Sequence, residues 1–236
     1  MWGQAVDREG RGQMKIFVDS ANLSDIELAL ERGIASGITT NPSILAKEER
    51  RDYREHVRDL IRLVEKWGMP IPVSVEVFTT DPDEMVRQAE DFLAEFGEYD
   101  GLTIKVPIGW DELRVIRALR ERSVDVNATC GMSFNQAVLA LNAGARYVSL
   151  FWGRIRDTGY DASRIVSDLR GVMDSSGSSA EIIVGSIRHL MDVNEAMLAG
   201  AHIVTVPPKF FPQMAHHPKT DEVVKQFVTE FAEWMS

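Results

Sequence analysis

Eight short β-branched runs, each separated from the next by a longer amphipathic stretch, constrain the fold of this chain more than any other feature of its sequence. The runs are KIFVD (15–19), GITT (37–40), PVSVEV (72–77), LTIKVP (102–107), VDVNAT (124–129), YVSLF (147–151), EIIVGS (181–186) and HIVTVP (202–207). Apolar residues recur at helical spacing between them. Val57, Leu60, Ile61 and Val64 do so before the third run, Met85, Val86, Ala89, Phe92, Leu93 and Phe96 before the fourth, and Leu113, Ile116 and Leu119 before the fifth. Asp81-Pro82 supplies an N-cap followed by proline at the first helical position. Gly33, Gly97, Gly144 and Gly200 sit where helices close.

Strands alternating with helices over short loops imply right-handed βαβ units and a parallel sheet. Eight such units in 236 residues predict an α/β fold, a single (β/α)₈ TIM barrel with an extra C-terminal helix. An open doubly wound sheet is the alternative, but no G-x-G-x-x-G follows the first run. Residues 14–236 read as one barrel domain, and the polar, Gly-rich residues 1–13 as a disordered extension. The terminal stretch carries Val223, Val224, Phe227, Phe231, Trp234 and Met235 as an apolar stripe, suited to its own barrel or to a neighbouring subunit.

A net charge of −10 argues against nucleic acid or an anionic membrane as partner. It leaves room for an anionic small molecule held by a few arginines. The N-terminal stretch lacks the apolar segment of a secretory signal, and the single Cys130 fits a reducing compartment, so a cytoplasmic location is expected. No Cys/His ligand set is present, His216-His217 lacks metal-pair spacing, and neither a metal nor an organic cofactor is expected. Cys130 follows Thr129 and is expected to face outward as a packed thiol.

Strands of a parallel barrel are buried on both faces and should be apolar throughout. Polar side chains aimed inward are costly unless paired, and those at the C-terminal strand ends form the active face. In the fourth run Thr103 and Lys105 alternate with Leu102, Ile104 and Val106, and Pro107 leaves the lysine near the barrel mouth. A desolvated amine there is nucleophilic toward a carbonyl. Glu76 interrupts the third run, Asp125, Asn127 and Thr129 share one face of the fifth, and the first ends in Asp19-Ser20. The second leads into Thr39-Thr40-Asn41-Pro42-Ser43, the sixth into Arg154, and the seventh into Ser186 and Arg188. Arginine forks and serine hydroxyls of that kind suit a phosphate. Singly, each has an ordinary explanation: Asn41 caps a turn, Asp19 caps a helix, and Arg154 and Arg188 pair with Asp157 or Asp192. Their convergence on one rim around one lysine points to an enzyme.

KIFVDSANLSDI, GITTNPSIL, VSVEV, TIKVP, VNATxxxSxNQA, YVSLFWGRIRD, SIRHLMDVNEAMLAGAHIVTVP and HPKTDE together make the chain resemble the short, microbial-type transaldolases, the subgroup that also contains fructose-6-phosphate aldolases. The resemblance implies that Lys105 forms the Schiff base, that Asp19 is the acid/base, and that Glu76 and Thr129 hold the water that shuttles protons. It implies further that Asn41 and Asn127 bind substrate hydroxyls, that Thr40, Ser149 and Phe151 line the same pocket, and that Arg154, Ser186 and Arg188 grip the phosphate. Its substrates would be small sugar phosphates, with dihydroxyacetone transferred from sedoheptulose 7-phosphate to glyceraldehyde 3-phosphate. Ring-shaped homo-oligomers, a decamer among them, with C-terminal helices crossing between subunits are also implied.

The aldolases carry glutamine and tyrosine where this chain has Glu76 and Phe151, so transfer is expected over release of free dihydroxyacetone. A lyase and a non-catalytic sugar-phosphate-binding barrel are the alternatives. The chain departs from the resemblance at Leu150 and Trp152, which are expected to face away from the barrel axis, and at Cys130-Gly131-Met132, where the family is apolar.

Overall fold

In the computed structural model, which describes residues 14–236, the chain forms a closed eight-stranded parallel barrel wrapped by helices. The extension expected over residues 1–13 lies outside the described residues. The first half runs β1 (Lys15–Asp19), α1 (Leu23–Glu31), β2 (Ile38–Thr39), α2 (Pro42–Leu45), α3 (Tyr53–Lys66), β3 (Val73–Glu76), α4 (Pro82–Phe96) and β4 (Leu102–Pro107). It continues through α5 (Glu112–Glu121), β5 (Val126–Gly131), α6 (Phe134–Ala143), β6 (Tyr147–Phe151), α7 (Trp152–Asp157) and α8 (Ala162–Ser176). The chain ends with β7 (Glu181–Gly185), α9 (Leu190–Leu198), β8 (Ile203–Val206), a 3₁₀ turn (Pro208–Phe210), α10 (Phe211–Ala215) and α11 (Pro218–Met235).

Neighbouring strands pair in chain order, and β8 closes onto β1 with Phe17 opposite Thr205. Side-chain caps start the helices where the sequence supplies them: Asn22 for α1, Asp52 for α3, Asp81 for α4, Ser133 for α6 and Asp161 for α8. Each satisfies backbone N–H groups left free in a first turn, a contribution of about 1 kcal/mol.

Two separate apolar cores result. The outer one lies between strands and helices and takes in Val18, Ile104, Leu150, Trp152 and Ile155, all essentially inaccessible. Leu150 and Trp152 thus face away from the barrel axis, as expected. The inner core is a plug of four residues, Phe17, Tyr147, Ile183 and Ile203. Phe17 meets Tyr147 edge-to-face with ring centroids 6.3 Å apart. The plug closes the barrel from its N-terminal side, so the polar residues further along the same strands open only toward the C-terminal mouth.

Helix α11 departs from one of the two expectations for it. None of its residues is buried, and Val224, Phe227, Val228, Phe231 and Trp234 are each more than half exposed. Packing of this stripe on its own barrel is therefore not what the chain does. No helix among the described residues is long and apolar enough to cross a membrane.

Candidate active site

The polar layer above the plug surrounds a cavity of about 430 Å³ at the C-terminal mouth. Asp19, Thr39, Asn41, Glu76, Lys105, Thr129, Cys130, Ser149, Phe151, Arg154, Ser186 and Thr205 contribute to its wall. Strand register assembles it: Asp19 lies opposite Thr39, Glu76 opposite Lys105, and Lys105 opposite Asn127.

Lys105 is the centre. Only 5% of its side chain is accessible, and its Nζ lies 3.0 Å from Glu76 Oε2, a carboxylate equally enclosed. Nζ donates to the Thr40 carbonyl at 2.6 Å, anchoring the amine across the barrel. Glu76 Oε2 is held only by its ion pair with Lys105, and the buried Thr129 Oγ1 has no hydrogen-bond partner among the described residues. Buried polar atoms are ordinarily satisfied, so an unpartnered hydroxyl in the wall of the lysine's cavity marks a site built to receive something polar. The backbone N–H of Glu76 is held by the Tyr53 hydroxyl at 3.2 Å.

Asp19 faces Lys105 across the cavity. Its carboxylate accepts from Thr39 Oγ1 at 3.1 Å, and Thr39 lies 2.5 Å from Thr205 Oγ1. Burial raises the Asp19 pKa to about 6, against the opposing pull of Lys105, the Thr39 hydroxyl and Lys47. A carboxyl that titrates near neutrality can both take and return a proton.

Ser149 donates to Asn127 Oδ1 at 2.7 Å, and Asn127 Nδ2 reaches Ser74 at 3.4 Å. Asn127 is wholly buried and does not line the cavity; it sits behind Ser149. Asn41 does line it while capping α2 through a 3.0 Å bond to the Ile44 N–H.

Three expectations are corrected. The Thr40 side chain does not line the cavity: its hydroxyl reaches the Ser74 carbonyl at 3.5 Å, and only its carbonyl touches Lys105. Strand alternation gives the inward position to Thr39, because Asp19 pairs with it and Asn41 follows on the same face. Cys130 does not face the outer core. Register shifts between Ala128 and Gly131, Cys130 takes a left-handed φ of 62°, and this bulge turns the thiol toward the cavity. Gly131 makes the bulge possible, since a Cβ there would lie 2.7 Å from the Ser149 carbonyl oxygen. Burial pushes the Cys130 thiol pKa up, with the Glu76 charge adding to the effect. The third correction is Asp125, which precedes β5 at the end of the barrel remote from the mouth.

The three groups expected at the phosphate are placed differently from one another. Arg154 lines the cavity with its guanidinium over the Phe151 ring, 5.6 Å from the centroid. Ser186 lines it too, held at a left-handed φ of 60°. Arg188 does not: its guanidinium forks onto Asp157 with both contacts at 2.5 Å. The turn after β7 is shaped by Asp192, which is buried and not a surface partner. Its Oδ2 accepts the N–H groups of Arg188 and His189 at 2.9 and 2.8 Å, and its Oδ1 accepts from Arg156 at 2.9 Å. Among the described residues no group of three or more His, Cys, Asp or Glu side chains is placed to hold a metal ion.

A sequence profile of the family described as Transaldolase/Fructose-6-phosphate aldolase matches residues 16–235, nearly the whole barrel and its terminal helix. The chain belongs to this family. Curated relatives agree. A probable transaldolase of Alkaliphilus metalliredigens is 38% identical over 92% of this chain and 98% of its own length. One from Geobacillus thermodenitrificans is 40% identical over 92% and 98%, and one from Chlorobium phaeobacteroides is 38% identical over 93% and 96%. Family membership makes the chain an enzyme of transaldolase type and gives the buried lysine and its two carboxylates a shared chemical context.

Proposed function

We propose that this chain is a transaldolase that moves a dihydroxyacetone unit between sugar phosphates through a Schiff base on Lys105. The observation that carries the reading is the buried lysine between Glu76 and the Thr40 carbonyl, with an Asp19 of near-neutral pKa across the same cavity. Lys105 Nζ adds to the C2 carbonyl of sedoheptulose 7-phosphate. The carbinolamine loses water, with Glu76 and Thr129 moving its protons, to give the Schiff base. Asp19 takes the proton of the C4 hydroxyl, the C3–C4 bond breaks, and erythrose 4-phosphate leaves. The enamine on Lys105 then attacks glyceraldehyde 3-phosphate, Asp19 returns the proton, and hydrolysis releases fructose 6-phosphate.

Ser149 and Asn41 would meet the hydroxyls of the three-carbon unit, with Asn127 supporting Ser149 from behind. Arg154 and Ser186 would hold the phosphate, joined by Arg188 once it leaves Asp157. Phe151 supports transfer over release, because its ring has no hydroxyl to protonate the enamine. The reaction belongs to the pentose phosphate pathway in the cytoplasm.

Borohydride reduction in the presence of fructose 6-phosphate, followed by intact mass and peptide mapping, tests the reading. A dihydroxyacetone adduct confined to Lys105 and absent from Lys105→Ala is expected. Binding of the sugar phosphate with no adduct on any lysine would leave a non-catalytic barrel. Turnover of fructose 6-phosphate without an acceptor would make the enzyme a lyase instead.

The exposed stripe of α11, from Val224 to Trp234, supports a homo-oligomer in which this helix crosses to a neighbouring copy. Sedimentation of the full chain against one truncated after Pro218 checks this, and a monomeric full-length chain would refute it.

A further inference from the structure

Thr205 is the one polar side chain of β8, between Val204 and Val206 and one turn of the pleat beyond Ile203 of the plug. It is only 5% exposed, and its sole side-chain hydrogen bond among the described residues is the 2.5 Å contact with Thr39 Oγ1. A buried hydroxyl in an otherwise apolar strand is costly unless its partner repays it in some other way. Its partner is the residue that touches Asp19.

Proton counting fixes the direction of this chain. A hydroxyl carries one proton and two lone pairs. An ionised Asp19 only accepts, so Thr39 must give its proton to Asp19 Oδ1 across 3.1 Å. Thr39 Oγ1 then has only lone pairs to offer across 2.5 Å, and Thr205 must be the donor there. The sequence Thr205 to Thr39 to Asp19 satisfies every group when the carboxylate is charged. When Asp19 is protonated its carboxyl is a weaker acceptor, and the chain loses the charge-assisted bond at its end. The arrangement is therefore matched to the anion, and each link polarises the next.

We propose that Thr205 is a positioning residue of the active site: acting through Thr39, it holds the Asp19 carboxylate ionised and aimed into the cavity. The inference rests on the reading of Asp19 as the group that takes the C4 hydroxyl proton. The charged groups that bear on the same carboxylate are Lys105 from β4 and Lys47 after α2, and Glu76 shares the cavity wall. None of them is altered by a change at Thr205, so a shift on substitution reports the relay.

The test is a pH titration of the full chain labelled with ¹³C-carboxyl aspartate, the Asp19 resonance being assigned with Asp19→Asn. Thr205→Val keeps the branched shape and deletes the hydroxyl; Thr205→Ala is a second deletion with different packing. Both are expected to raise the Asp19 midpoint by roughly half a unit to one unit, about the weight of one hydrogen bond. Thr205→Ser, which restores the donor, is expected to return it. The acidic limb of kcat/KM should move upward in step. An Asp19 midpoint unchanged in both deletions overturns the relay. A midpoint that moves while the acidic limb stays put leaves the relay standing and removes Asp19 from the role of base.

Discussion

Separating Lys105 from Glu76 tests how this barrel tolerates a charged interior. The two groups are 3.0 Å apart and 5% and 8% exposed. At the effective dielectric of about 20 that fits buried pairs, their attraction is about 5 kcal/mol. Desolvating each ion costs several kcal/mol, so the intact pair contributes little net stability. Removing one partner is different, because the remaining charge keeps its desolvation cost and loses its compensation.

Lys105→Met leaves Glu76 and Asp19 facing one cavity with no cation between them, and is expected to cost about 3–5 kcal/mol. Glu76→Gln should cost less, about 2–3 kcal/mol, because Lys105 keeps the Thr40 carbonyl at 2.6 Å and the field of Asp19. The double variant removes both charges and should lie within about 1 kcal/mol of wild type. The coupling energy would then be about 4 kcal/mol or more, well above what residues merely in contact show.

Urea unfolding at one fixed protein concentration measures all four proteins, with m-values checked for constancy. On heating, the Lys105→Met variant should melt roughly 6–20 °C lower, at about 2–4 °C per kcal/mol for a chain of this size. Single variants each within 1 kcal/mol of wild type, with an additive double, would refute the reasoning: the pair would then be solvated rather than enclosed.

Asp19→Asn should stabilise the protein near neutral pH. A carboxyl whose pKa is about 6 when folded and near 3.8 when unfolded contributes stability below pH 3.8 that is lost as pH rises through 6. The asparagine variant should therefore gain on the order of 2–3 kcal/mol at pH 8 and much less at pH 4; equal urea midpoint differences at both pH values would refute this. Arg154→Ala should raise KM for the phosphorylated ketose about tenfold or more, the loss of a charge-assisted contact, with a smaller change in kcat. Arg188→Ala should also raise KM, and an unchanged KM in steady-state kinetics would show that Arg188 stays with Asp157 when substrate binds. Cys130, half-buried and facing the cavity, should react slowly with iodoacetamide at pH 7 and faster in alkaline solution, and fructose 6-phosphate should protect it. Labelling indifferent to the sugar phosphate would place the thiol elsewhere.

The barrel was legible because burial on both faces makes parallel strands stand out as short apolar runs, and the amphipathic stretches between them carry unambiguous helical spacing. The polar positions were legible for the complementary reason. Lysine, glutamate and aspartate inside such runs have no structural use, so Lys105, Glu76 and Asp19 declared themselves. Thr39 was lost to Thr40 because threonine at either position is compatible with a strand. The deciding signal was the period-two link from Thr39 to Asn41, which was present in the sequence. Cys130 was lost for a different reason. Alternation predicts an outward thiol, and only the bulge, with its left-handed Cys130 and close-packed Gly131, reverses it; a break in periodicity has no periodic signature. Arg188 illustrates a third limit, since an arginine beside both an anion site and Asp157 satisfies the same local pattern in either arrangement.

The two cores divide the work of the fold in a way that explains why this site sits where it does. The outer core is continuous and apolar, and it supplies the burial that holds strands to helices. The inner column needs only a small plug, Phe17, Tyr147, Ile183 and Ile203, to close one end. Above the plug the column contributes little to stability, and with the Asp19 pKa raised to about 6 and the Thr129 hydroxyl unpartnered it detracts from it. Such a cost is tolerable only because the outer core does not depend on the inner one. A barrel with neutral residues in place of both Lys105 and Glu76 would keep its strand order and lose no stability. The charged, under-bonded mouth therefore has no account in folding, and catalysis is the account that remains.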